Sequence, residues 1–289
     1  MLLQTDHLTK DYGSFRALDD LNLQIGEGEI FGLLGPNGSG KSTTLRLLLG
    51  FLRPTAGRAR VGGYDCWSQS VAVRRMVAYL PGELRLYENM TGRQLLRFLE
   101  GLRQQSLGQD CESLAKRFDI DLRRPIASLS SGMKRKLALM QVLLPKTALL
   151  ILDEPTNTLD PTMRDELLEQ LLAAKARGQT VLFSSHVLHE VERVCDRVGI
   201  LARGRLVHLQ TMSELRQGRI ARLRLTQPPT KPPPEVTIQD QRDGQMTLLC
   251  QGEPSPLLRW LANQAVSDVQ IEPMGLGPIY ARLHPAEAR

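Results

Sequence analysis

The sequence predicts an α/β fold with a mostly parallel β-sheet, because short apolar runs alternate with segments of helical pattern. Three runs have the length of a buried strand: Ile30 to Leu34, Leu149 to Asp153, and Thr180 to Ser185. A helix over Ser42 to Leu49 follows the first run, and a helix from Pro161 to about Ala176 separates the other two. Strands that alternate with helices favour a parallel sheet covered on both faces.

The pattern changes between residues 84 and 147. Helices are predicted over Thr91 to Leu102, Asp110 to Phe118 and Ser131 to Leu144, with no convincing strand between them. This segment is interpreted as a helical subdomain inserted into the α/β core.

A second change near residue 218 separates a domain over residues 1–218 from a small α+β appendage over residues 219–289. Ala221 to Leu225 alternates apolar and basic residues, as a half-buried strand does. The proline-rich segment Gln227 to Pro234 indicates an extended surface connection. The elements predicted beyond it are a strand over Met246 to Cys250, a helix over Leu257 to Ala265 and a strand over Val269 to Glu272.

Composition narrows the classes of function. Thirty-seven Lys and Arg against 31 Asp and Glu give a net charge of +6, but the basic residues are dispersed and are not interleaved with aromatics. No nucleic-acid partner is therefore expected. No stretch is long enough to cross a bilayer, no secretory signal begins the chain, and the four cysteines lack metal-ligand spacing. We expect a cytoplasmic protein whose membrane role, if it has one, requires a separate membrane partner.

The strongest local pattern is a phosphate-binding loop, G-x-x-x-x-G-K-[ST], between the first strand and its helix. Its glycines let backbone N–H groups wrap phosphates, and the helix start adds its dipole. Lys41 is expected to reach the β- and γ-phosphates of ATP, and the Ser42 hydroxyl to coordinate Mg²⁺. The predicted nucleotide-binding residues here are Gly35, Pro36, Asn37, Gly38, Ser39, Gly40, Lys41, Ser42 and Thr43.

Two adjacent acids, Asp153 and Glu154, end the second buried strand. Open parallel sheets bind ligands at the carboxyl ends of their strands. Asp153 is expected to hold Mg²⁺ through water, and Glu154 to polarise the attacking water as general base. A structural alternative is that one of the acids only caps the strand or the following turn.

Four further motifs resemble those of the ATP-binding cassette (ABC) ATPases, a family of the P-loop NTPase (RecA-like) fold. Leu129-Ser-Ser-Gly-Met133 is similar to the family signature, and Asn157-Thr-Leu-Asp160 is similar to the D-loop. His186 resembles the switch histidine, and Tyr12 resembles the aromatic residue that stacks on adenine. The resemblance extends over residues 1 to about 218. It implies that Ser130 and Gly132 complete an active site across a dimer interface, that Asp160 belongs to the nucleotide site, and that His186 and Lys41 act with Glu154 at the γ-phosphate.

The sequence departs from the family at two places. Ser131 and Met133 replace the usual Gly and Gln of the signature. Gly82, or Glu83 with a shift of one residue, stands where the Q-loop glutamine is expected, so the role of that glutamine cannot be transferred.

The segment Tyr79-Leu-Pro-Gly82-Glu83, the signature variant and the appendage together resemble the ATPases of ABC-2-type exporters, which move drugs, lipids or polysaccharides out of bacteria. The resemblance implies ATP and Mg²⁺ as cofactors, a homodimer or heterodimer, and an integral membrane permease that docks near residues 82–93. The chain would then be peripheral on the inner face of the membrane. The alternatives are a soluble ABC ATPase acting on nucleic acid or ribosomes, and a generic P-loop kinase or GTPase.

Overall fold

The computed structural model describes residues 1–104, 108–242, 244–250 and 252–283. The chain forms two compact units, Met1–Leu209 and Gln210–Arg289, which divide ahead of the boundary predicted at residue 218. Among the described residues, no helix is both long enough and apolar enough to cross a membrane.

The first unit contains most of the regular structure. Its strands are β1 (Leu3–Tyr12), β2 (Phe15–Ile25), β3 (Ile30–Leu34), β4 (Ala56–Val61), β5 (Tyr64–Asp65), β6 (Val77–Leu80), β7 (Leu149–Leu152), β8 (Thr180–Ser185), β9 (Arg197–Ala202) and β10 (Arg205–Thr211), the last of which continues past the division. Its helices are α1 (Lys41–Leu48), α2 (Ser70–Met76), α3 (Gly92–Arg103), α4 (Gly108–Arg117), α5 (Ser131–Leu143), α6 (Pro161–Ala176) and α7 (Leu188–Val194).

A six-stranded sheet in the order β10-β9-β3-β8-β7-β6 forms the centre of this unit. The pairs β3–β8, β3–β9, β7–β8 and β6–β7 are all parallel. Every residue of β3, β7 and β8 is buried, as expected of strands covered on both faces. The three strands predicted from apolar runs are therefore adjacent, and their carboxyl ends lie at one edge.

A second, antiparallel sheet with the order β2-β1-β4-β5 was not predicted. The pairing of β1 with β2 shifts register between Thr5 and Leu8, and His7 and Asp20 have positive φ angles of 49° and 54°. Such bulges interrupt the period-two alternation by which a half-buried strand is identified in sequence. The strands of this antiparallel sheet therefore could not be identified from the sequence pattern.

Between residues 84 and 147 the described helices α3, α4 and α5 and a short 3-10 turn (Ile126–Ser128) are joined by turns and irregular segments, with a single β-bridge between Thr91 and Pro125. The Thr91 side chain accepts a hydrogen bond from the Gln94 N–H in a capping box at the start of α3. The Ser130 hydroxyl accepts from the Met133 N–H at the start of α5. These caps account for the helix starts that the sequence predicts.

The second unit contains α8 (Met212–Gln217), β11 (Arg219–Leu225), β12 (Val236–Arg242), β13 (Gln245–Cys250), α9 (Ser255–Leu261), β14 (Val266–Pro273) and α10 (Gly277–Leu283). Its four strands form an antiparallel sheet in the order β12-β13-β11-β14. Leu223, Leu248, Leu257 and Trp260 belong to a core of its own. A predicted surface connection over residues 227–234 has no helix or strand.

All four cysteines lie in described segments and are thiols, and three of them, Cys66, Cys195 and Cys250, are buried. Burial raises the pKa of Cys66 to about 12, with a further contribution from Asp65. Burial also raises the pKa of Cys111 and of Cys250. These thiols therefore remain protonated at neutral pH.

Candidate functional site

The phosphate-loop sequence connects the end of β3 to the start of α1. Gly35, Gly38 and Gly40 have positive φ angles of 156°, 79° and 107°, which L side chains rarely adopt. A Cβ atom on Gly40 would lie 2.8 Å from the carbonyl oxygen of Ala17, so the loop also packs too tightly there for a side chain. This loop conformation requires glycine at the two positions that the motif fixes, Gly35 and Gly40.

Lys41 opens α1 and is only 4% exposed. Its Nζ donates to the carbonyl oxygens of Gly35 at 2.6 Å and Pro36 at 3.1 Å. The same atom lies 3.4 Å from Oε1 of Glu154. The lysine charge is thereby held inside the loop and beside the carboxylate that follows β7, two strands away from β3 in the sheet.

Asp153 and Glu154 follow β7, at the carboxyl edge of the parallel sheet. Oδ1 of Asp153 accepts a hydrogen bond from the Ser184 hydroxyl at 2.7 Å, and that hydroxyl accepts one from the Glu154 N–H at 2.9 Å. Glu154 has a φ angle of 46°, an uncommon conformation for a residue other than glycine. Ser184, at the end of β8, therefore fixes both acids.

Three groups surround the carboxylate of Glu154. Besides Lys41, the Asn157 side-chain amide donates to Oε2 at 2.6 Å, and Nδ1 of His186 lies 3.5 Å from the same oxygen. Burial acts to raise the pKa of Glu154, but Asn157, Lys41 and His186 outweigh it and lower that pKa. The carboxylate is thus ionised at neutral pH and available to accept a proton.

A cleft of about 220 Å³ lies over the loop. It is lined by Tyr12, Phe15, Ala17, Asn37, Gly38, Gly40, Lys41, Ser42, Thr43 and Glu154. A larger cleft, of about 430 Å³, lies between α4 and α6 and contains none of these residues. The smaller cleft is the candidate site, because its lining combines the phosphate loop, the carboxylate of Glu154 and the aromatic rings of Tyr12 and Phe15.

Tyr12 and Phe15 pair across the tight turn that joins β1 to β2. They are 46% and 62% exposed, and Lys10 Nζ lies 5.1 Å from the Tyr12 ring centre. Phe15 was not selected from the sequence, although its position three residues after Tyr12 across a Gly-Ser turn could have indicated a second ring on the same side. Exposed aromatic faces beside a phosphate loop can stack on a planar base.

Ser130, Gly132 and Asp160, which the family resemblance adds to the nucleotide site, do not line this cleft. Ser130 and Asp160 are exposed and cap the starts of α5 and α6, where Asp160 accepts from the Met163 N–H at 2.9 Å. Gly132 lies against the D-loop, since a Cβ there would be 3.3 Å from the carbonyl oxygen of Thr158. The signature and D-loop segments of this chain are therefore neighbours.

Gly82, after β6, faces the acidic pair. A Cβ atom on Gly82 would lie 3.4 Å from Oδ2 of Asp153, although both Gly82 and Glu83 are exposed. Of the two positions considered for the Q-loop glutamine, Gly82 is the one beside Asp153.

The chemistry of the oxygen donors fits Mg²⁺. Ser42 provides a hydroxyl and Asp153 a buried carboxylate, both hard oxygen ligands. The described residues include no group of three or more His, Cys, Asp or Glu that could form a metal cage. Mg²⁺ suits such a sparse set, because it retains waters and substrate phosphates as its other ligands.

Sequence reasoning missed Asn157 as a partner of Glu154, Ser184 as the hydroxyl that joins the acids, and Arg135. The guanidinium of Arg135, which is 2% exposed, donates to backbone carbonyls around both acids. A short motif reports residue types at fixed spacing, and it does not report which neighbours a buried side chain reaches.

Comparison with known proteins identifies the family. The sequence model described as "ABC transporter" matches residues 18–157. The daunorubicin/doxorubicin resistance ATP-binding protein DrrA of Streptomyces peucetius is 32% identical over 99% of this chain and 94% of its own. The linearmycin resistance ATP-binding protein LnrL of Bacillus subtilis is 33% identical over 74% of this chain and 70% of its own.

Another relative is longer. The "Probable multidrug ABC transporter ATP-binding protein YbhF" of Escherichia coli is 37% identical over 223 residues, but the match covers only 38% of its length. Among solved structures, an ATP-binding subunit of an ABC transporter matches with a TM-score of 0.70, 32% identity, and coverage of 75% of this chain and 92% of that one. A dimeric ATP-binding cassette bound to ADP and phosphate matches in fold, with a TM-score of 0.66 and 20% identity.

These matches confirm the predicted α/β cassette fold and the resemblance to exporter ATPases. The chain belongs to the ABC transporter ATP-binding proteins, a family of ATP-hydrolysing cassettes.

Proposed function

We propose that this chain is the ATP-hydrolysing motor of an exporter, and that it acts on a separate integral membrane permease. The observation that carries the proposal is the placement of the ionised Glu154 carboxylate at the mouth of the phosphate loop, 3.4 Å from Lys41 Nζ. Two relatives, one matched over 99% of this chain and the other over 74%, are named for resistance to daunorubicin/doxorubicin and to linearmycin, which supports an antibiotic-like cargo. None of the relatives cited above is named as a nucleic-acid or ribosome ATPase, so the soluble alternative is not favoured.

In the proposed site, Tyr12 stacks on adenine and the backbone N–H groups of residues 35–43 surround the phosphates. Lys41 contacts the β- and γ-phosphates and offsets their negative charge. Glu154 orients water and accepts its proton, and His186 contacts the γ-phosphate. Mg²⁺, bound by Ser42 and through water by Asp153, would neutralise charge on the bridging phosphate oxygens.

The proposed active unit is a dimer, with either a second copy or a different cassette. Ser130 and Asp160 are exposed, and Ser130 with Gly132 places N–H donors at the positive end of α5. These groups would complete the ATP site of the opposite subunit. Hydrolysis then removes the γ-phosphate that joins the two subunits, so that the dimer opens and moves the permease.

For the remaining chain, we propose residues 1–218 as the nucleotide-binding domain, with residues 84–147 as its helical subdomain. Residues 219–289 would form an accessory domain. The permease would dock near residues 82–93 and hold the chain at the inner face of the membrane.

The test is affinity purification of the tagged chain from detergent-solubilised native membranes, with mass spectrometry of its partners. A polytopic membrane protein recovered in near-equal amount is expected, and its sequence would narrow the cargo class. The matched control is Glu154→Gln, which should retain the same partner, because docking does not use the hydrolytic carboxylate. Recovery of ribosomal or DNA-repair proteins without a membrane subunit would contradict the exporter proposal.

A further inference from the structure

Arg135 is a buried cation that no motif of the nucleotide site uses. It lies in α5, two residues after Met133 of the signature segment, and is 2% exposed. Arginine is rarely buried to this extent unless its charge and its donors are satisfied. Its contacts therefore indicate what it does.

The five N–H donors of the Arg135 guanidinium match five backbone carbonyls. Nε donates to Pro155 at 3.3 Å, and Nη1 donates to Pro81 at 3.0 Å and Gly82 at 3.1 Å. Nη2 donates to Asp153 at 3.0 Å and also to Glu154. All five acceptors are main-chain oxygens, so the side chain fixes backbone position.

These acceptors come from two segments that leave neighbouring strands. Residues 81–82 follow β6 and residues 153–155 follow β7, and the two strands pair in parallel as far as Leu80 and Leu152. Beyond that pair the strand ladder ends, apart from one hydrogen bond from the Asp153 N–H to the Leu80 carbonyl. The guanidinium continues the connection between the two segments where the sheet stops.

The geometry of Glu154 depends on this region. Its φ angle of 46° is unfavourable for an L residue, so other contacts must hold it. The Glu154 carbonyl bonds to Arg135, and its N–H bonds to Ser184. The main chain of the proposed base is thus fixed from both sides.

The negative charges of Asp153 and Glu154 favour a charged guanidinium at this buried position. Burial lowers the pKa of Arg135, and the nearby charges of Asp153 and Glu154 act in the opposite direction. A lysine could retain the charge, but its three donors lie on one nitrogen and cannot satisfy two planar sets of carbonyls.

We propose that Arg135 is a positioning residue that holds Glu154 in its catalytic orientation and makes that orientation depend on the position of α5. The connection runs from the exposed start of α5 at Ser130, through the guanidinium, to the Glu154 backbone and to Gly82. A shift of α5 relative to the sheet would displace Glu154 without displacing the phosphate loop. This proposal rests on the proposed role of Glu154 as the base.

The experiment compares the full-length wild type with Arg135→Lys, Arg135→Gly and the neighbouring control Lys134→Gln, whose cation forms an exposed ion pair with Glu88 at 2.6 Å. We measure kcat and KM for Mg-ATP, and circular dichroism establishes that each variant is folded. Arg135→Lys is expected to lower kcat at least about 10-fold, with KM changed less than about threefold. Lys134→Gln is expected to retain wild-type kcat.

A chemical rescue separates positioning from general packing. Millimolar guanidinium is expected to restore part of the kcat of Arg135→Gly and none of the kcat of Glu154→Gln. If Arg135→Gly does not fold, the kcat and KM of Arg135→Lys decide the test.

Two results would overturn the role of Arg135 while leaving the proposed function intact. One is a wild-type kcat in folded Arg135→Lys, and the other is a joint fall of kcat and ATP affinity in the Arg135 variants that guanidinium does not rescue. A wild-type chain that does not hydrolyse Mg-ATP would overturn the proposed function, and the inference with it.

Discussion

At the residue scale, the site is organised around one carboxylate. Lys41, Asn157 and His186 all lie within 3.5 Å of the Glu154 oxygens, and their combined effect on its pKa exceeds the opposing effect of burial. A general base must be ionised at working pH, and this environment keeps the carboxylate of Glu154, the proposed base, ionised. Two predictions follow from these contacts.

Glu154→Gln should abolish most turnover and leave ATP binding intact. The amide has almost the same shape as the carboxylate but cannot accept the proton of water, and general-base catalysis contributes about 10²–10⁴-fold. We therefore expect kcat to fall at least about 100-fold while the Kd for ATP, measured by equilibrium binding, changes little. The exposed Glu27→Gln is the control, and turnover near wild type in Glu154→Gln would exclude it as the base.

Asn157→Ala should move the acid limb of the pH–rate profile upward. The wild-type pKa of Glu154 is lowered, so its activity is fully present at neutral pH and is lost as pH falls through that lowered pKa. Loss of the 2.6 Å hydrogen bond removes a lowering contribution while burial continues to raise the pKa. The acid limb of kcat/KM should therefore move to higher pH, measured from about pH 4 to about pH 8. Asn263→Ala, in the second unit, should leave it unmoved, and an unmoved limb in Asn157→Ala would contradict the assignment.

The sequence could identify the residues of the loop and the two acids, because each motif specifies a local chemistry. It could not identify Arg135, Ser184 or Asn157 as partners of those acids. Their contacts join residues 18 to 31 positions apart, or depend on a turn with positive φ at Glu154. Such contacts are consequences of the assembled fold.

At the element scale, the phosphate loop takes its shape from close backbone approach. Gly40 has a φ angle of 107° and would place a Cβ 2.8 Å from the Ala17 carbonyl, whereas Gly38 has a φ angle of 79° with nothing within 4 Å of its Cβ position. An alanine at Gly40 would thus meet both a steric clash and the strain of positive φ, whereas an alanine at Gly38 would meet only the strain.

Gly40→Ala should weaken ATP binding more than Gly38→Ala does. Both substitutions incur the conformational strain of positive φ, about 1–2 kcal/mol, but only Gly40→Ala forces the loop away from β2. We expect an increase in the Kd for ATP of at least about 10-fold for Gly40→Ala and a smaller increase for Gly38→Ala, measured with a fluorescent ATP analogue. Gly178→Ala, with a φ angle of 84° and open space outside the loop, serves as the control for strain alone. Equal Kd values for the two loop variants would refute the steric argument.

The sequence predicts the bounds of an element well where its hydrophobic pattern and its terminal residues indicate the same start and end. The bounds of β3, β8 and α6 match the prediction, because the strands are fully buried apolar runs and α6 begins with a capping aspartate and Pro161. The antiparallel sheet was missed because bulges at His7 and Asp20 disrupt its alternation. Short helices such as α2 and α7 have too few turns for a reliable periodic pattern.

At the scale of the whole molecule, each of the two units has a buried core among its described residues. One includes Leu33, Ile151 and Leu182 of the central sheet, and the other includes Leu223 and Leu248 of the C-terminal sheet. Domains with their own cores can unfold as separate cooperative units.

Leu248→Ala should therefore destabilise the second unit and leave Mg-ATP turnover unchanged. Leu248 is fully buried, and removing such a leucine costs about 2–5 kcal/mol. We expect calorimetry to show a lower Tm for one transition only, and Leu182→Ala, equally buried in the first unit, to lower the other. A single transition that shifts in both variants would show that the cores unfold together.

The burial of the thiols has a practical consequence for site-specific labelling of this protein. Maleimide reagents require a thiolate, and burial withholds both solvent access and ionisation from Cys66 and Cys250, while Cys195 is 3% exposed. Cys111 is the one partly exposed thiol of the four. A Cys111→Ser background would thus accept a spin or fluorescent label at a newly introduced surface cysteine, so that distances within the proposed dimer could be recorded with and without ATP and the core would stay unchanged.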